Sequence, residues 1–357
     1  MKIDDHLASL KKQIDSELEM FFKSKTKQVK VDNKPEELVE IIENLKKFTL
    51  SSGKRIRPIL FYFGYIIGGG KNIYEVLKTS IAIEIIHSYL LIHDDIIDQD
   101  NLRHGNLSMH YRYEKKLISE FEDKNSKHFG ISMAIIVGDL ASTFGYEILT
   151  NSDFPLDSKT RAIKKLNHII SNTIVGEALD VILVEYKDVK IERILEMHKY
   201  KTAKYTIEGP LQLGAILAGA DEIFLNSLSG FAVPAGIAFQ IQDDIFGIFG
   251  DERKIGKPVG SDIKEGKKTL LFAKAMENSD VAQKQELNKA LGNKNISSED
   301  INNIKDIIIK TGSLEFSKNK AKELIEDANK YLEDLEISAE NKKFLNDFAD
   351  FVIRRDE

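Results

Sequence analysis

The chain has 357 residues, of which 42% are hydrophobic and 30% charged, so it is long enough to bury a substantial core. Its 57 acidic and 51 basic residues give a formal net charge of −6, which argues against a nucleic-acid-binding protein, because such binding depends on a basic face. The chain has no cysteine, which excludes disulfides and thiolate metal sites and fits a reducing compartment.

The N-terminal residues 1–6 lack the basic start and apolar stretch of a signal peptide. The longest apolar runs, at 58–67 and 133–137, are shorter than the roughly 20 residues of a membrane-spanning helix. The sequence therefore predicts a soluble, cytoplasmic chain with no transmembrane segment.

Nearly every segment repeats apolar residues at the three- and four-residue spacing of amphipathic helices. The predicted helices, in chain order, lie around residues 20–22 and at 36–48, 74–97, 156–184, 191–217, 298–309 and 314–335. Alternating strand patterns are hard to find. Because residues 74–97 are apolar on more than one face, this helix is expected in the middle of a bundle.

The predicted loops lie at residues 68–70, 122–127, 151–155, 250–266 and 292–297. None is long enough, or rich enough in proline and serine, to be an interdomain linker. The sequence shows no short repeat and no low-complexity segment. It therefore predicts an all-α fold that forms one helical domain over residues 1–357.

Three carboxylates, Asp94, Asp95 and Asp98, stand near the end of the predicted central helix. Asp94 and Asp98 are four residues apart and share one helix face. Two carboxylates about 4 Å apart repel each other by about 4 kcal/mol at an effective dielectric of about 20, a repulsion that a divalent cation removes. A solvated helix end is the alternative, but residues 87–97 are otherwise almost wholly apolar, which favours carboxylates that face a cavity.

A second acidic pair, Asp243-Asp244, follows the apolar segment 231–242 in the same way. Magnesium takes one or two carboxylates and completes its shell with water and substrate phosphate, so the two clusters predict opposite walls of a diphosphate pocket. Several basic residues could each be an ordinary solvated charge if taken alone. Taken together with the acidic clusters, they predict a second anion subsite, in which cations bind the anion directly and no metal is needed. They are Lys54, Arg57, Arg103, His104, Lys257, Lys267 and Lys268.

At these residues the chain resembles the trans-prenyl diphosphate synthases, the family that makes farnesyl and geranylgeranyl diphosphates. Five blocks match in order between residues 35 and 275: GKRIRP at 53–58; HDDIID at 93–98 with LRHG at 102–105; GEALD at 176–180; KT at 201–202; and FQIQDD at 239–244 with GKPVGSD at 256–262. One such motif would be weak, but five in order are not explained by chance. The resemblance implies a single all-α bundle around a deep central cavity, and a homodimer.

The resemblance also implies the metal ligands of a condensation between an allylic diphosphate and isopentenyl diphosphate. Asp94, Asp98 and Asp243 would ligate three Mg²⁺ ions, with Mn²⁺ as a substitute. Asp95 and Asp244 would support them. Metal ions and cations would stabilise diphosphate as a leaving group, so that the allylic C–O bond ionises and the double bond of isopentenyl diphosphate attacks the cation.

Basic and polar matches fall into three groups. The residues implied to contact the allylic diphosphate are Arg103, Lys201 and Lys257. The residues implied to hold isopentenyl diphosphate are Lys54, Arg57 and His87, with His104 and Lys267 as further substrate-binding positions. Thr202 and Gln240 would lie beside the developing allylic cation.

The chain departs from the family pattern at three matching positions. His104 replaces a second arginine, so the hold on isopentenyl diphosphate is expected to be weaker or pH-dependent. Gly247 replaces a third aspartate, so metal binding there is expected to depend on Asp243 and Asp244. Glu177 replaces a glutamine and is expected either to join Asp180 near the metals or to be solvated. The segment 111–130 is longer than the family norm and is assigned no role.

Product length is predicted from the helix turn before Asp94. Tyr89 is bulky and Leu90 is smaller, a combination similar to that of archaeal-type geranylgeranyl synthases. The hypothesis is a C20 product with Tyr89 as the floor of the chain pocket; the alternative is that Tyr89 is ordinary core.

Other functions left open are a farnesyl or longer-chain synthase, a non-catalytic regulatory subunit and a class I terpene cyclase. A cyclase would need a hydroxyl where Gly247 stands, and would not need Lys54 and Arg57. A regulatory subunit tends to lose an acidic cluster, whereas both are present here. Consumption of isopentenyl diphosphate with magnesium would discriminate between these alternatives.

Overall fold

The computed structural model describes residues 3–51, 53–103, 105–121, 125–250 and 260–354. The described chain is almost entirely helical, which confirms the predicted all-α fold class. Its contacts divide it into two compact units. The first unit is Met1–Ile163 with Gly214–Gly219, and the second is Lys164–Leu213 with Ala220–Glu357. The prediction of one domain over the whole chain stays a prediction.

The first unit begins with four helices, followed by a short hairpin and two more helices. In chain order these elements are α1 (Ile3–Val31), α2 (Glu36–Leu50), α3 (Ile56–Ile67), α4 (Ile73–Ile97), β1 (Leu102–Arg103), β2 (Asn106–Leu107), α5 (Met109–Phe121) and α6 (Ser126–Thr150). The next helix, α7 (Leu156–Val184), continues into the second unit. The two short strands pair in antiparallel register, Leu102 with Leu107 and Arg103 with Asn106.

The later elements begin with an α-helix that passes directly into a π-helix. They are α8 (Ile191–His198), π1 (Lys199–Glu208), α9 (Gly209–Leu217), α10 (Glu222–Phe249), α11 (Ser261–Glu265), α12 (Leu270–Asn278), α13 (Val281–Ala290), α14 (Ser298–Lys310), α15 (Ser313–Glu333) and α16 (Ala339–Arg354). The C-terminal end of α9 lies in the short segment that belongs to the first unit.

Helix α4 is the centre of the first unit, as its apolar composition predicts. The Asn72 side chain caps it by accepting a hydrogen bond from the Glu75 backbone N–H at 3.2 Å, which satisfies a donor at the helix start. Helices α1, α2, α3 and α6 all pack against α4. Because neighbours surround it, side chains on several of its faces are buried, which explains why no single face is apolar.

Helix α10 has the corresponding place in the second unit, where it packs against π1, α15 and α16. Asp221 caps it by accepting from the Phe224 N–H at 2.9 Å. Pro234 lies inside the helix, and Phe231 on the preceding turn is fully buried. Its acidic end is therefore carried on a helix that the core fixes in place.

The predicted helix bounds agree with the structure to within one or two residues at 36–48, 74–97, 156–184, 298–309 and 314–335. The segment predicted as one helix over 191–217 is three consecutive elements, because π1 interrupts the α-helical hydrogen bonding. The loop predicted at 250–266 contains α11, and residues 251–259 lie outside the described part of the chain. The β1–β2 hairpin was not predicted, since two-residue strands have no readable alternation.

By length and composition alone, three described helices could cross a membrane: α4, α6 and α10. The expectation that every apolar segment is too short is therefore wrong. In α4, 67% of the apolar window is buried inside the protein, and its Glu84 pairs with Arg55. The prediction that the chain has no transmembrane segment stays a prediction.

Candidate active site

The first acidic cluster occupies the C-terminal end of α4, as the sequence predicts. Asp94 and Asp95 lie in the last turn, and Asp98 is the residue that caps the helix. Asp95 is fully buried, whereas Asp94 and Asp98 are half-buried. Carboxylates at this end face the negative pole of the helix dipole, so the arrangement needs positive charge from elsewhere.

Arg103 on β1 supplies that charge. Its Nη2 donates to Asp94 Oδ2 at 2.9 Å, and its Nε donates to Asp95 Oδ1 at 2.6 Å. Burial alone would lower the pKa of the Arg103 guanidinium, but the Asp95 and Asp94 carboxylates outweigh it and raise the pKa above its ordinary value. The structure thus joins Arg103, predicted as a diphosphate contact, directly to the acidic cluster.

The loop before α3 carries the predicted isopentenyl diphosphate residues. Arg55 has left-handed backbone with φ +56°, and Gly53 has φ +123°, so the chain turns sharply on either side of Lys54. Pro58 lies in the first turn of α3, as predicted. Lys54 is exposed, and Arg57 is half-buried.

Arg55 fixes this loop through two buried charge pairs. Its Nε donates to Asp15 Oδ1 on α1 at 2.7 Å, and its Nη1 donates to Glu84 Oε1 on α4 at 2.7 Å. Burial lowers the pKa of the Arg55 guanidinium, but Glu84 and then Asp15 outweigh that effect, so the pKa is raised. Sequence reasoning gave Arg55 no role, because its partners lie 40 and 29 residues away.

The structure brings together Arg57 and His87, which were predicted to share one substrate. Arg57 Nη1 lies 3.1 Å from His87 Nε2. An arginine can only donate, so Nε2 accepts and the proton of the neutral ring is on Nδ1. Burial, followed by the charges of Arg57, Arg103 and Arg55, holds the pKa of His87 well below its ordinary value. His87 is therefore a neutral imidazole at pH 7.

In the second unit, π1 presents Lys201 to two acidic side chains of α7. Lys201 Nζ lies 2.8 Å from Glu177 Oε2 and 2.6 Å from Asp180 Oδ2. Of the two alternatives for Glu177, the structure has it beside Asp180 rather than solvated. A carboxylate at this position therefore gives Lys201 a second counter-ion.

Two glycines allow other helices to approach π1 closely. A Cβ atom on Gly176 of α7 would lie 2.2 Å from the Lys201 backbone nitrogen, and one on Gly236 of α10 would lie 2.5 Å from Ala203 Cα. Both distances are too short for any side chain, so α7 and α10 rest directly on the π-helical backbone. Wide π-helical turns of this kind occur frequently at functional sites.

A chain of hydrogen bonds connects π1 with the second acidic cluster. Thr202 Oγ1 donates to Gln240 Oε1 at 2.5 Å, and Gln240 Nε2 donates to Asp244 Oδ1 at 2.8 Å. The buried His198 lies at the end of α8, with Nε2 3.2 Å from Asp244 Oδ2. Sequence reasoning predicted Thr202, Gln240 and Asp244 but missed His198, whose only signal is a histidine four residues before Thr202.

Asp262 explains how the chain accommodates Gly247. A Cβ on Gly247 would lie 2.8 Å from Asp262 Oδ2, so the Asp262 carboxylate fills the space beside the residue that replaces the third aspartate. The expectation that metal binding here depends on Asp243 and Asp244 stays a prediction. Asp262 belongs to a matched motif but was given no role.

The remaining predicted residues are less well defined. Lys267 Nζ lies 2.7 Å from Glu265 Oε2, and burial lowers the pKa of Lys268 although Asp188 raises it. His104 and Lys257 lie outside the described residues.

Tyr89 and its neighbours form a contact between α4 and α6. The Tyr89 ring meets the His93 ring edge-on at 4.8 Å, and a Cβ on Gly138 would lie 2.4 Å from His93 Nε2. Burial, with a contribution from Asp139, raises the pKa of Tyr89. Tyr89 and Leu90 are both half-buried, and their role in product length stays a prediction.

Comparison with known proteins gives the class of protein first: the chain is a transferase. Residues 39–308 match the family described as polyprenyl synthetase, and the chain belongs to that family. The resemblance noted from the sequence motifs is thereby confirmed.

Individual relatives and solved structures agree with this assignment. The chain is 36% identical over 313 residues to a geranylgeranyl diphosphate synthase of Sulfolobus acidocaldarius, covering 85% of this chain and 88% of that protein. It is 34% identical over 312 residues to a short chain isoprenyl diphosphate synthase of Methanocaldococcus jannaschii, covering 87% and 88%. The crystal structure of geranylgeranyl pyrophosphate synthase from Corynebacterium glutamicum, complexed with isoprenyl diphosphate and magnesium, has a TM-score of 0.92 at 30% identity, covering 98% of this chain and 99% of that chain.

Proposed function

We propose that this transferase condenses isopentenyl diphosphate with an allylic diphosphate, and that its product is geranylgeranyl diphosphate. The observation that carries the proposal is that each unit contains a cluster of charged and hydrogen-bonding side chains from the matched motifs. The first unit has an acidic helix end, Arg103 and the Arg57–His87 pair. The second has Lys201 between two carboxylates and the hydrogen-bonded chain from Thr202 to Asp244. The relatives named geranylgeranyl diphosphate synthase support the product.

The residues present fit a divalent metal, which we propose to be magnesium. The candidate ligands Asp94, Asp98 and Asp243 are half-buried, and all offer hard carboxylate oxygens, the donors that Mg²⁺ prefers. Asp95 and Asp244, the proposed supporting carboxylates, are both buried. When bound, the ions would offset the charge of the diphosphate and favour its departure as a leaving group. We propose three ions, as the family resemblance implies.

The chain's own side chains would bind the substrates and stabilise the allylic cation. Lys54 and Arg57 would hold the diphosphate of isopentenyl diphosphate, with neutral His87 orienting the Arg57 guanidinium. The Thr202 hydroxyl and the Gln240 carbonyl oxygen would lie beside the allylic cation and stabilise its charge with their dipoles. As the new C–C bond forms, the proton lost from isopentenyl diphosphate would pass to the released diphosphate, and exclusion of water would protect the cation.

Product length is the first specific test. The Tyr89 ring packs on His93 in the α4 turn before the acidic cluster, where it would limit the growing chain. Tyr89→Ala should shift the main product from C20 to longer chains, and Leu90→Ala should shift it less. Chromatography of the dephosphorylated products would measure this shift, and an unchanged distribution would remove Tyr89 as the floor.

We also propose that the enzyme is a homodimer that works in the cytoplasm. Within the first unit, α6 exposes the apolar side chains Ile135 and Ile136, which offer a surface for a second copy. The water-soluble diphosphate substrates and the cysteine-free composition fit a cytoplasmic location. Sedimentation equilibrium would measure the oligomeric state directly.

The decisive experiment incubates the purified chain with Mg²⁺, isopentenyl diphosphate and each allylic starter in turn: dimethylallyl, geranyl and farnesyl diphosphate. We expect isopentenyl diphosphate to be consumed and C20 diphosphate to accumulate. Diphosphate release without consumption of isopentenyl diphosphate would instead indicate a cyclase. No turnover with any starter would favour a regulatory subunit, and a C15 or longer product would correct the assigned chain length.

A further inference from the structure

A cavity of about 410 Å³ lies beside the first acidic cluster, wholly within the first unit. Its walls come from the end of α2, the β1–β2 hairpin and the first turn of α5. The lining residues are Lys47, Phe48, Leu50, Ser51, Arg103, Asn106, Leu107 and Arg112. A cavity of this size is in the range of small-molecule sites.

The lining of this cavity is unusual in its charge, because it contains three cations and no carboxylate. Arg103 is already paired with Asp94 and Asp95. Lys47 and Arg112, by contrast, make no ion pair or side-chain hydrogen bond with any residue that the structure describes. The nearby Lys116 of α5 shows the alternative, since it pairs with Glu40 at 2.6 Å.

Lys47 is exposed and Arg112 is half-buried, and neither pairs with a carboxylate among the residues that the structure describes. An anion bound between them would be attracted by both charges. Charged nitrogen donors form short, strong hydrogen bonds with phosphate oxygens, and the planar Arg112 guanidinium can bind two such oxygens at once. Phe48, Leu50 and Leu107 give the same cavity an apolar wall. The lining therefore fits a polyanion that carries a short hydrocarbon group, or a free polyanion.

We propose that this cavity binds a diphosphate group through Lys47 and Arg112. The inference rests on the proposed function, because two molecules of that reaction carry the group: isopentenyl diphosphate before condensation and inorganic diphosphate after it. Arg103 borders both the cavity and the acidic cluster, so a diphosphate bound here would share a guanidinium with Asp94 and Asp95. The cavity would then act as a holding site next to the reaction centre.

The first arm of the test measures binding without turnover. Titration calorimetry with inorganic diphosphate, in the absence of metal and allylic substrate, would compare wild type with the double variant Lys47→Ala/Arg112→Ala. We expect the double variant to bind at least tenfold more weakly. Lys46→Ala and Lys115→Ala are matched controls, because they remove the same charge from α2 and α5 without touching the lining. Both should bind within twofold of wild type.

The second arm identifies which molecule uses the cavity. A tenfold higher KM for isopentenyl diphosphate, with a smaller change in kcat, would assign the cavity to the substrate. A higher inhibition constant for inorganic diphosphate, with KM unchanged, would assign it to the product. Binding and both constants within twofold of the control variants would overturn the inference. Failure of the proposed function is distinguishable, because wild type would then consume no isopentenyl diphosphate whatever its affinity in the first arm.

Discussion

The two acidic clusters end similar apolar helices, yet their surroundings differ. On α4, the Arg103 guanidinium binds both Asp94 and Asp95, so one full positive charge offsets part of the negative charge of the cluster. On α10, Asp244 has the Gln240 amide and the His198 imidazole instead. The same residue type is thus paired with a positive charge in one unit and oriented by a side-chain hydrogen bond from Gln240 in the other.

This difference has a consequence for how each cluster is held before metal and substrate bind. An arginine bridge reduces carboxylate repulsion and lets Asp94 and Asp95 stand close together. The bonded chain Thr202–Gln240–Asp244 instead connects a carboxylate to the groups expected beside the allylic cation. The stability of the first cluster therefore depends on Arg103. In the second cluster, the orientation of the Asp244 carboxylate depends on its hydrogen bond with Gln240.

The largest expected effect comes from neutralising one carboxylate in either unit. Asp94→Asn and Asp243→Asn should each lower kcat by about 10³-fold, because metal-assisted departure of a charged leaving group is worth several kcal/mol and each 1.36 kcal/mol is a factor of about ten. Steady-state assays with Mg²⁺ would measure this loss. Asp157→Asn on α7 is a control of equal charge and should keep full activity. A loss for only one of the two variants would mean that the clusters do not act on one substrate.

The comparison is sharpened by removing the partner of each cluster. Arg103→Gln should lower the free energy of unfolding by about 3–5 kcal/mol, since it leaves two carboxylates without their buried counter-charge. His198→Gln should cost at most about 1 kcal/mol, because it removes a polar contact with Asp244 Oδ2 and no full counter-charge. Chemical denaturation with and without Mg²⁺ would measure both. Magnesium should restore more stability to Arg103→Gln than to His198→Gln, and equal losses and equal recovery would contradict the distinction.

Arg55 tests whether buried charge also organises the substrate loop of the first unit. Arg55→Met should destabilise the fold by about 3 kcal/mol, because Glu84 is left buried without a partner. The double variant Arg55→Met/Glu84→Met should recover part of that loss, as the unpaired charge is gone. Both variants should raise KM for isopentenyl diphosphate, since Lys54 and Arg57 lose their fixed backbone. Recovery of stability together with a normal KM would show that Arg55 has no effect on the loop.

The smallest expected effect is a pH dependence from His87. Its pKa is lowered in the folded chain, so below about pH 6.5 the unfolded chain takes up a proton that the folded chain does not. Stability should therefore fall on acidification from pH 6.5, by at most about 1.4 kcal/mol per pH unit until the lowered folded pKa is reached. His87→Gln keeps an acceptor for Arg57 and should remove this part of the slope. Denaturation series at pH 7 and pH 5.5 would measure it, and identical slopes would exclude His87 as the cause.

Much of the fold and of the site could be predicted from local sequence. Apolar spacing located α4 and α7 to within a residue, because helical periodicity is a property of neighbouring positions. Residue chemistry selected Asp94 and Arg57, and the family resemblance added His87. Arg57 and His87 do lie in contact. Short motifs are sufficient here because they carry the charge and spacing that diphosphate and metal recognition need.

Other features were decided only by tertiary structure. The pairing of Arg55 with Asp15 and Glu84 joins three helices, and the fit of Asp262 beside Gly247 joins two consecutive helices, α10 and α11. The π-helical turn around Lys201 depends on helices that pack on it through glycine. Helix periodicity states which face of each helix is apolar, but it does not state which faces meet or in what register. Contacts between helices determine which charged side chains become counter-ions of one another, and these pairs determine the charge of the site.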